Sequence, residues 1–277
     1  MMDPSSQDLL DLLRGHSESV PLDRAALQLA TIEYPDLDIG LSIGLLDLHA
    51  EALRRAVPED ADGKEFVRLT NQYLFATAGF SGNCDDYYNP RNSCLNDVLT
   101  VHKGIPITLS IVYMELARRL GRPVYGIGLP GHYIVQYDDG GYSTYIDVFH
   151  GGTLLAKSDC FDIAGKAGQA HLSERGWFLA HTSTRQTILR MIRNLRACYL
   201  RKNDYAKALR TLDLMIEADP HSAEEHRNRA ALHIRMQNLS RAKTDLEMCL
   251  LLGHDGADRG QVEHQLQLVK QGLSRLN

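Results

Sequence analysis

A proline opens the most apolar stretch of this chain, and that stretch limits what the chain can fold into. From Gly104 the sequence runs Gly-Ile-Pro-Ile-Thr-Leu-Ser-Ile-Val-Tyr-Met-Glu-Leu-Ala-Arg-Arg-Leu-Gly, ending at Gly121. Pro106 suits the first turn of a helix, where its missing N–H has no intrahelical partner. Ile107, Leu109, Ile111, Val112, Met114, Leu116, Ala117 and Leu120 leave little polar surface, and a helix apolar nearly all round is a buried, central one. Arg118 and Arg119 suit the negative end of its dipole, and Gly121 stops it. Val124 to Gly128 then reads as a short strand, and His132 stands at the mouth of the next. The pattern is a buried helix feeding a sheet.

The chain has 277 residues, enough for two modest domains. Its formal net charge of -5 argues against a general nucleic-acid binder. The basic pairs Arg54–Arg55 and Arg118–Arg119 read as helix surface. Cys84, Cys94, Cys160, Cys198 and Cys249 show no C-x-x-C spacing, which fits reduced thiols in a cytoplasmic protein. The residues from Met1 to Ser19 hold acids and no long apolar core, so no signal peptide is expected. No run reaches the apolar length of a membrane span.

Four helices are expected in the first quarter of the chain: Asp8–Arg14, one opened by Asp23 and ended by Pro35, Leu37–Val57 and Gly63–Ala78. Gly79 to Asn96 is rich in turn formers and aromatics and reads as a long ordered loop, of a length that is often functional. Ser93 or Asn92 is the expected cap of a short helix through Thr100. Asp85, Asp86 and Asp97 lack the spacing of a calcium loop.

Tyr133–Asp138 and Tyr142–Asp147 flank Asp139-Gly140, a strong hairpin signal for a two-residue turn. Such a turn sets Asp138 against Gly141 and, counting outward, His132 against Asp147. Gln136 and Tyr145 share that face. His132 and Asp147 are then either a satisfied cross-strand polar pair or part of a site. Gly151 to Gly176 reads as mixed strand, turn and helix, with Gly165 and Gly168 as breaks.

From Thr187 the periodicity is helical. Ile192, Leu195, Tyr199, Ala208 and Leu212 match the packing positions of a tetratricopeptide repeat, with Asn203-Asp204 as its turn. Ala230, Ala242 and Leu246 repeat the pattern, with Gln237-Asn238 as the turn, while Arg229 and His233 replace expected apolar residues. Gln261–Leu276 reads as a capping helix. Leu189, Ile192 and Leu195 need cover, for which Trp177-Phe178-Leu179 is the nearest candidate. Arg196, Arg201, Arg229 and His233 would give the repeats a positive face suited to an acidic peptide.

The motifs Asn-Pro-Arg-Asn-Ser-x-Leu-Asn-Asp-Val-Leu from Asn89, Gly-Ile-Pro-Ile-Thr-Leu-Ser from Gly104, Gly-x-x-Leu-Pro-Gly-His from Gly126 and Ile-Asp-Val-Phe-His-Gly-Gly from Ile146 resemble those of the bacterial SirB family. Those are transglutaminase-like proteins with C-terminal tetratricopeptide repeats. The resemblance implies an α+β fold: an N-terminal helical bundle with a papain-related helix-plus-antiparallel-sheet core over 1–180, then an all-α repeat module over 187–277. In transglutaminase-like enzymes a cysteine begins the central helix, a histidine begins the second strand and an aspartate ends the third. His132 and Asp147 match the last two; the cysteine position falls on Pro106. A thiol there would be activated by the helix dipole, and it is missing.

The first reading is therefore a non-catalytic, regulatory or scaffolding protein. It would bind a peptide or protein in a cleft lined by Asn92, Asn96, Asp97, His132, Asp147 and His150. No cofactor is expected, no metal ligand set is assigned, and neither nucleic acid nor membrane is an expected partner. Two rivals stay open. One is a cysteine amidase or transferase using Cys94 or Cys84, with the hydroxyls of Thr108 and Ser110 as weaker substitutes. The other is a metal-dependent hydrolase with zinc on His132, His150 and Asp147.

Overall fold

The computed structural model describes residues 4–17, 19–166, 179–253 and 257–275. The fold is α+β, with a small antiparallel sheet beside helices and a helical repeat region after it. The chain divides into two compact units, Glu18–Met191 and Met1–Ser17 with Ile192–Asn277.

In the unit Glu18–Met191, helices α2 (Leu22–Ala30), α3 (Ile39–Ala56) and α4 (Gly63–Asn71) come first. Asp38 and Asp62 cap α3 and α4, their side chains accepting the N–H groups of Leu41 and Glu65. The expected helix over Gly63–Ala78 does not stay α-helical: Gln72–Thr77 is a π-helical turn. The loop that follows holds β1 (Ser81–Gly82), which pairs in parallel with β2 (Lys103–Gly104). The short helix α5 (Leu95–Val101) between them is capped at Cys94, with no side-chain cap bond. Asn92 and Ser93 fall instead in a 3-10 turn, Pro90–Ser93, which Asn89 caps. Asn92 is committed elsewhere, as described below.

Helix α6 (Pro106–Arg119) is the central helix, and every residue from Pro106 to Ala117 is buried. Each aliphatic side chain buried there contributes about 1.5–3 kcal/mol. Gly121 follows at φ +70 and turns the chain back. The sheet has the order β3-β4-β5-β6, an antiparallel meander of Val124–Ile127, Ile134–Asp138, Ser143–Asp147 and Thr153–Leu155. Helix α6 packs on β3 and β4. Helix α7 (Lys157–Lys166) closes the far side, where Cys160 and Ala164 join Ile127, Leu129, Ile134 and Leu179 in one apolar cluster. Gly165 lies inside α7 and does not break it; Gly168 lies outside the described residues, as do Trp177 and Phe178.

The β4–β5 hairpin departs from the two-residue turn. Asp138 pairs with Ser143, and Asp139–Tyr142 forms a four-residue loop. The Asp139 carboxylate causes the widening: it accepts the N–H groups of Gly141 at 2.9 Å and Tyr142 at 2.8 Å, and the Tyr137 hydroxyl at 2.9 Å. Pairing is therefore shifted by two residues, so Asp147 is in register with Ile134 and not with His132. A shift of two preserves the face of every side chain, so His132 and Asp147 remain on the same side.

In the other unit, α8 (Thr184–Arg201, whose last ten residues belong here) is followed by α9 (Tyr205–Ala218), α10 (Ala223–Arg235), α11 (Leu239–Leu251) and α12 (Ala257–Ser274). Asn203 and Gln237 take the left-handed conformation at equivalent turns, φ 57 and 60. Ala230, Ala242, Leu246 and Cys249 pack with Val262, Leu266 and Val269 of α12, the expected cap. Helix α1 (Pro4–Arg14) belongs to this unit: it packs on α9, and Arg14 pairs with Glu217 at 2.7 Å. Ile192 and Leu195 are fully buried. Among the described residues no helix is long and apolar enough to cross a membrane.

Candidate functional site

Asp147, the last residue of β5, organises the turn after it. Its Oδ1 accepts the backbone N–H groups of Phe149 at 3.1 Å and His150 at 3.2 Å, and its carbonyl accepts that of Gly152 at 2.9 Å. This leaves Oδ2 for side-chain partners. His132 Nε2 donates to Oδ2 at 2.9 Å and His150 Nδ1 donates to it at 2.8 Å. The carboxylate is buried, at 5% side-chain exposure, and the His132 ring nearly so at 13%, while His150 is exposed at 63%. Burial alone pushes the Asp147 carboxyl up; hydrogen bonds and charge from His132 and then His150 outweigh it and hold the group below the usual carboxylate value.

His132 is held from behind. Arg190 of α8 donates to the carbonyls of Leu129 at 2.9 Å and His132 at 2.6 Å, clamping the Pro130-Gly131 corner. The second glycine after His150 is also required. Gly152 sits at φ +77, and a Cβ there would stand 2.4 Å from the Phe75 ring and 2.6 Å from Asn71 Cγ. Asn71 Nδ2 donates to the Gly152 carbonyl at 2.8 Å. The π-helical turn, which carries Phe75, is thus keyed to the turn that carries His150; π-turns recur at functional sites. Phe149 meets the His132 ring edge-on at 6.3 Å and Tyr87 of the long loop at 6.0 Å.

Over the three side chains lies a cavity of about 630 Å³, walled by Pro130, Thr153, Leu155 and Ile163, with Lys166 on its rim. An oriented imidazole on an ionised carboxylate, beside an apolar hollow, can bind a polar group, move a proton or ligate a cation. His150 is where the sequence reading put it, in the site; the Arg190 clamp and the Asn71–Gly152 contact were not legible in the sequence, since each joins segments with no shared periodicity.

The structure does not bring Asn92, Asn96 and Asp97 to that cavity. Asn92 is buried: Oδ1 accepts from Asn83 at 2.9 Å, and Nδ2 donates to the Asp86 and Tyr87 carbonyls at 2.7 and 3.2 Å. Asp97 accepts the Tyr34 hydroxyl at 2.7 Å and pairs with Arg91 at 3.2 Å. Burial and then Asp97 push the Tyr34 hydroxyl up to about 12. Asn96 is partly buried, its Oδ1 without a hydrogen-bond partner among the described residues. Pro106 is buried in the first turn of α6. Thr108 is used up in capping, and the Ser110 hydroxyl is buried. Cys94 is buried and donates to the Pro90 carbonyl at 3.5 Å; Cys84 is exposed. The Cys160 thiol is pushed up to about 11 by burial first and by Asp159 next, so it is a poor nucleophile.

In the repeat unit, Arg196 is paired with Glu225 and Arg201 is exposed. Arg229 binds Asp245 at 2.7 Å and Asp213 at 2.8 Å; His233 is buried, with Nε2 3.9 Å from Asp245. A groove of about 510 Å³ runs here, carrying Arg210, Arg229, Arg241 and His233 against Asp213 and Asp245. Tetratricopeptide repeats generally mediate protein–protein interaction.

Comparison with known proteins agrees with this architecture. Residues 43–193 match the transglutaminase-like superfamily, and residues 195–267 match a tetratricopeptide repeat. A UPF0162 protein of Xylella fastidiosa (strain 9a5c) is 35% identical over 240 residues, 85% of each chain. A UPF0162 protein of Pseudomonas aeruginosa is 28% identical over 277 residues, 99% of each. Mouse F-box only protein 21 is 31% identical over 133 residues, 45% of this chain and 20% of that protein. The chain therefore belongs to the transglutaminase-like superfamily and, within it, to the family of the UPF0162 proteins.

Proposed function

We propose that this is a cytoplasmic, non-catalytic transglutaminase-like protein of regulatory type, as its motif resemblance to the SirB family suggests. It holds a peptide in the cavity over His132, Asp147 and His150 and docks a protein through its repeats. The observation that carries this reading is Pro106, which stands where a transglutaminase-like enzyme needs its thiol. The histidine and aspartate of the old triad retain their geometry, so the cleft keeps oriented polar groups while lacking the nucleophile they would serve. Arg210 and Arg241, beside an Arg229 already bound to Asp213 and Asp245, favour an acidic segment in the repeat groove.

The test uses the full chain in transamidation, deamidation and peptide-hydrolysis assays, alongside selection of binders from a displayed peptide library. The expected result is no turnover, with selected peptides losing affinity for an Ile163→Glu variant. Turnover that disappears in Cys84→Ser or Cys94→Ser would overturn the reading.

A further inference from the structure

The His132–Asp147–His150 cluster has a feature that a triad remnant does not need. A histidine–aspartate pair uses one imidazole. Here two imidazoles from separate segments converge on one oxygen, Asp147 Oδ2, at 2.9 and 2.8 Å. The other oxygen is fixed by the backbone N–H groups of Phe149 and His150. Among the described residues this is the one group of three or more such side chains whose ligand atoms, one from each, all lie within 4.8 Å of one another.

We propose that these three side chains bind a divalent transition-metal ion of the zinc type. The proposal goes beyond the peptide-binding reading and does not depend on it. The donor set is two imidazole nitrogens and one carboxylate oxygen, which suits zinc, cobalt or nickel better than calcium or magnesium. Asp147 already carries the outer-sphere support such a ligand needs, in the amides on Oδ1. His132 is pre-positioned by the Arg190 clamp on its carbonyl. Three protein ligands leave a coordination position open, and the cavity of about 630 Å³ lies against it. Lys166 on the rim would favour an anionic group, such as a carboxylate, at that position.

The proton balance is simple. Each imidazole nitrogen that now donates to Oδ2 must present a lone pair to the ion. For neutral rings the proton passes to the other nitrogen, Nδ1 of His132 and Nε2 of His150, and Asp147 stays ionised. Ligand atoms now in hydrogen-bond contact must open by a few tenths of an ångström to take about 2.0–2.2 Å metal bonds. The exposed His150 ring can supply that movement.

The test is metal uptake by the chelator-stripped full chain at neutral pH, read by calorimetry with Zn²⁺ and by visible absorption with Co²⁺. One ion per chain is expected, with a rise in melting temperature. His150→Gln, at an exposed ring, should keep the fold and weaken binding about tenfold or more; His132→Gln should abolish it. The variants are needed because the chain has 12 histidines. No uptake by the folded parent would overturn the proposal. So would uptake that His132→Gln and His150→Gln leave unchanged, since the ion would then sit elsewhere.

Discussion

Thr108 Oγ1 donates a 2.6 Å hydrogen bond to the Asn92 carbonyl, tying the long loop to the first turn of α6. The same oxygen accepts the Ile105 N–H at 3.2 Å, so one hydroxyl both caps the central helix and anchors the loop. Thr108→Val keeps the volume and removes both bonds in a fully buried place. It is expected to cost about 0.5–1.5 kcal/mol, because the Asn92 carbonyl and the Ile105 N–H each lose a partner while keeping their mutual 3.4 Å bond. Thr108→Ser keeps the hydroxyl and should cost less. Urea denaturation checks this; a Val variant with the parent's midpoint would contradict it.

Gly151 and Gly152 are neighbours that should respond differently to alanine. Both take left-handed backbone, φ +67 and φ +77. A Cβ at Gly151 meets nothing within 4 Å, whereas at Gly152 it meets Phe75 and Asn71 at 2.4 to 2.7 Å. Gly151→Ala should cost about 1 kcal/mol, the conformational term alone. Gly152→Ala should cost about 2–4 kcal/mol, since overpacking adds about 1–3 kcal/mol. Equal midpoints for the two variants in denaturant would show that the π-helical turn is not keyed to the Asp147 turn.

What the sequence made legible was local. Helix α6 could be read because its apolar residues recur within one element. The shared face of His132 and Asp147 could be read because side-chain direction alternates with parity, and the register error was an even number. The error itself came from Asp139, whose side chain makes turn bonds that a dipeptide signal does not reveal. Asn92, Asn96 and Asp97 look polar and available in sequence. Two of them are spent on partners as remote as Tyr34, 63 residues away from Asp97. Such pairings need the tertiary fold. Helix α1 was likewise readable as a helix, but its packing on α9 was not, because its amphipathic pattern does not say which surface covers it.

His49 should make stability fall in mild acid. Burial first and His102 second hold its pKa below the ordinary 6.5, and its Nδ1 lies 2.9 Å from the Tyr73 hydroxyl. The folded state thus binds the proton less readily than the unfolded chain. The stability this contributes is present above pH about 6.5 and is lost as pH falls through the lower folded value. His49→Gln should make the decline in unfolding free energy between about pH 7 and pH 5 shallower than in the parent. Parallel curves for the two proteins would rule out this role.

The degraded positions of the second repeat have their explanation in Asp245. Arg229 and His233 stand where the repeat pattern expects apolar residues. Arg229 donates to both oxygens of Asp245, at 2.9 Å from Nε and 2.7 Å from Nη2, and His226 Nδ1 lies 3.2 Å from Oδ1. Asp245 is only 4% exposed, so α10 and α11 are joined by a buried polar knot. Removing a buried carboxylate strands the cations around it, which costs about 3–5 kcal/mol. Asp245→Ala should therefore destabilise the protein strongly. Asp213→Ala removes the other partner of Arg229, but that carboxylate is 58% exposed and its pair should be worth about 1 kcal/mol or less. Replacing both Arg229 and Asp245 by apolar residues of similar volume should recover much of the loss seen in Asp245→Ala, because a matched pair removed together leaves no uncompensated charge. Denaturation of the single and double variants of the full chain tests all three. If the double variant is as unstable as the sum of the singles, the two residues are not coupled, and the departure from the repeat pattern has another cause.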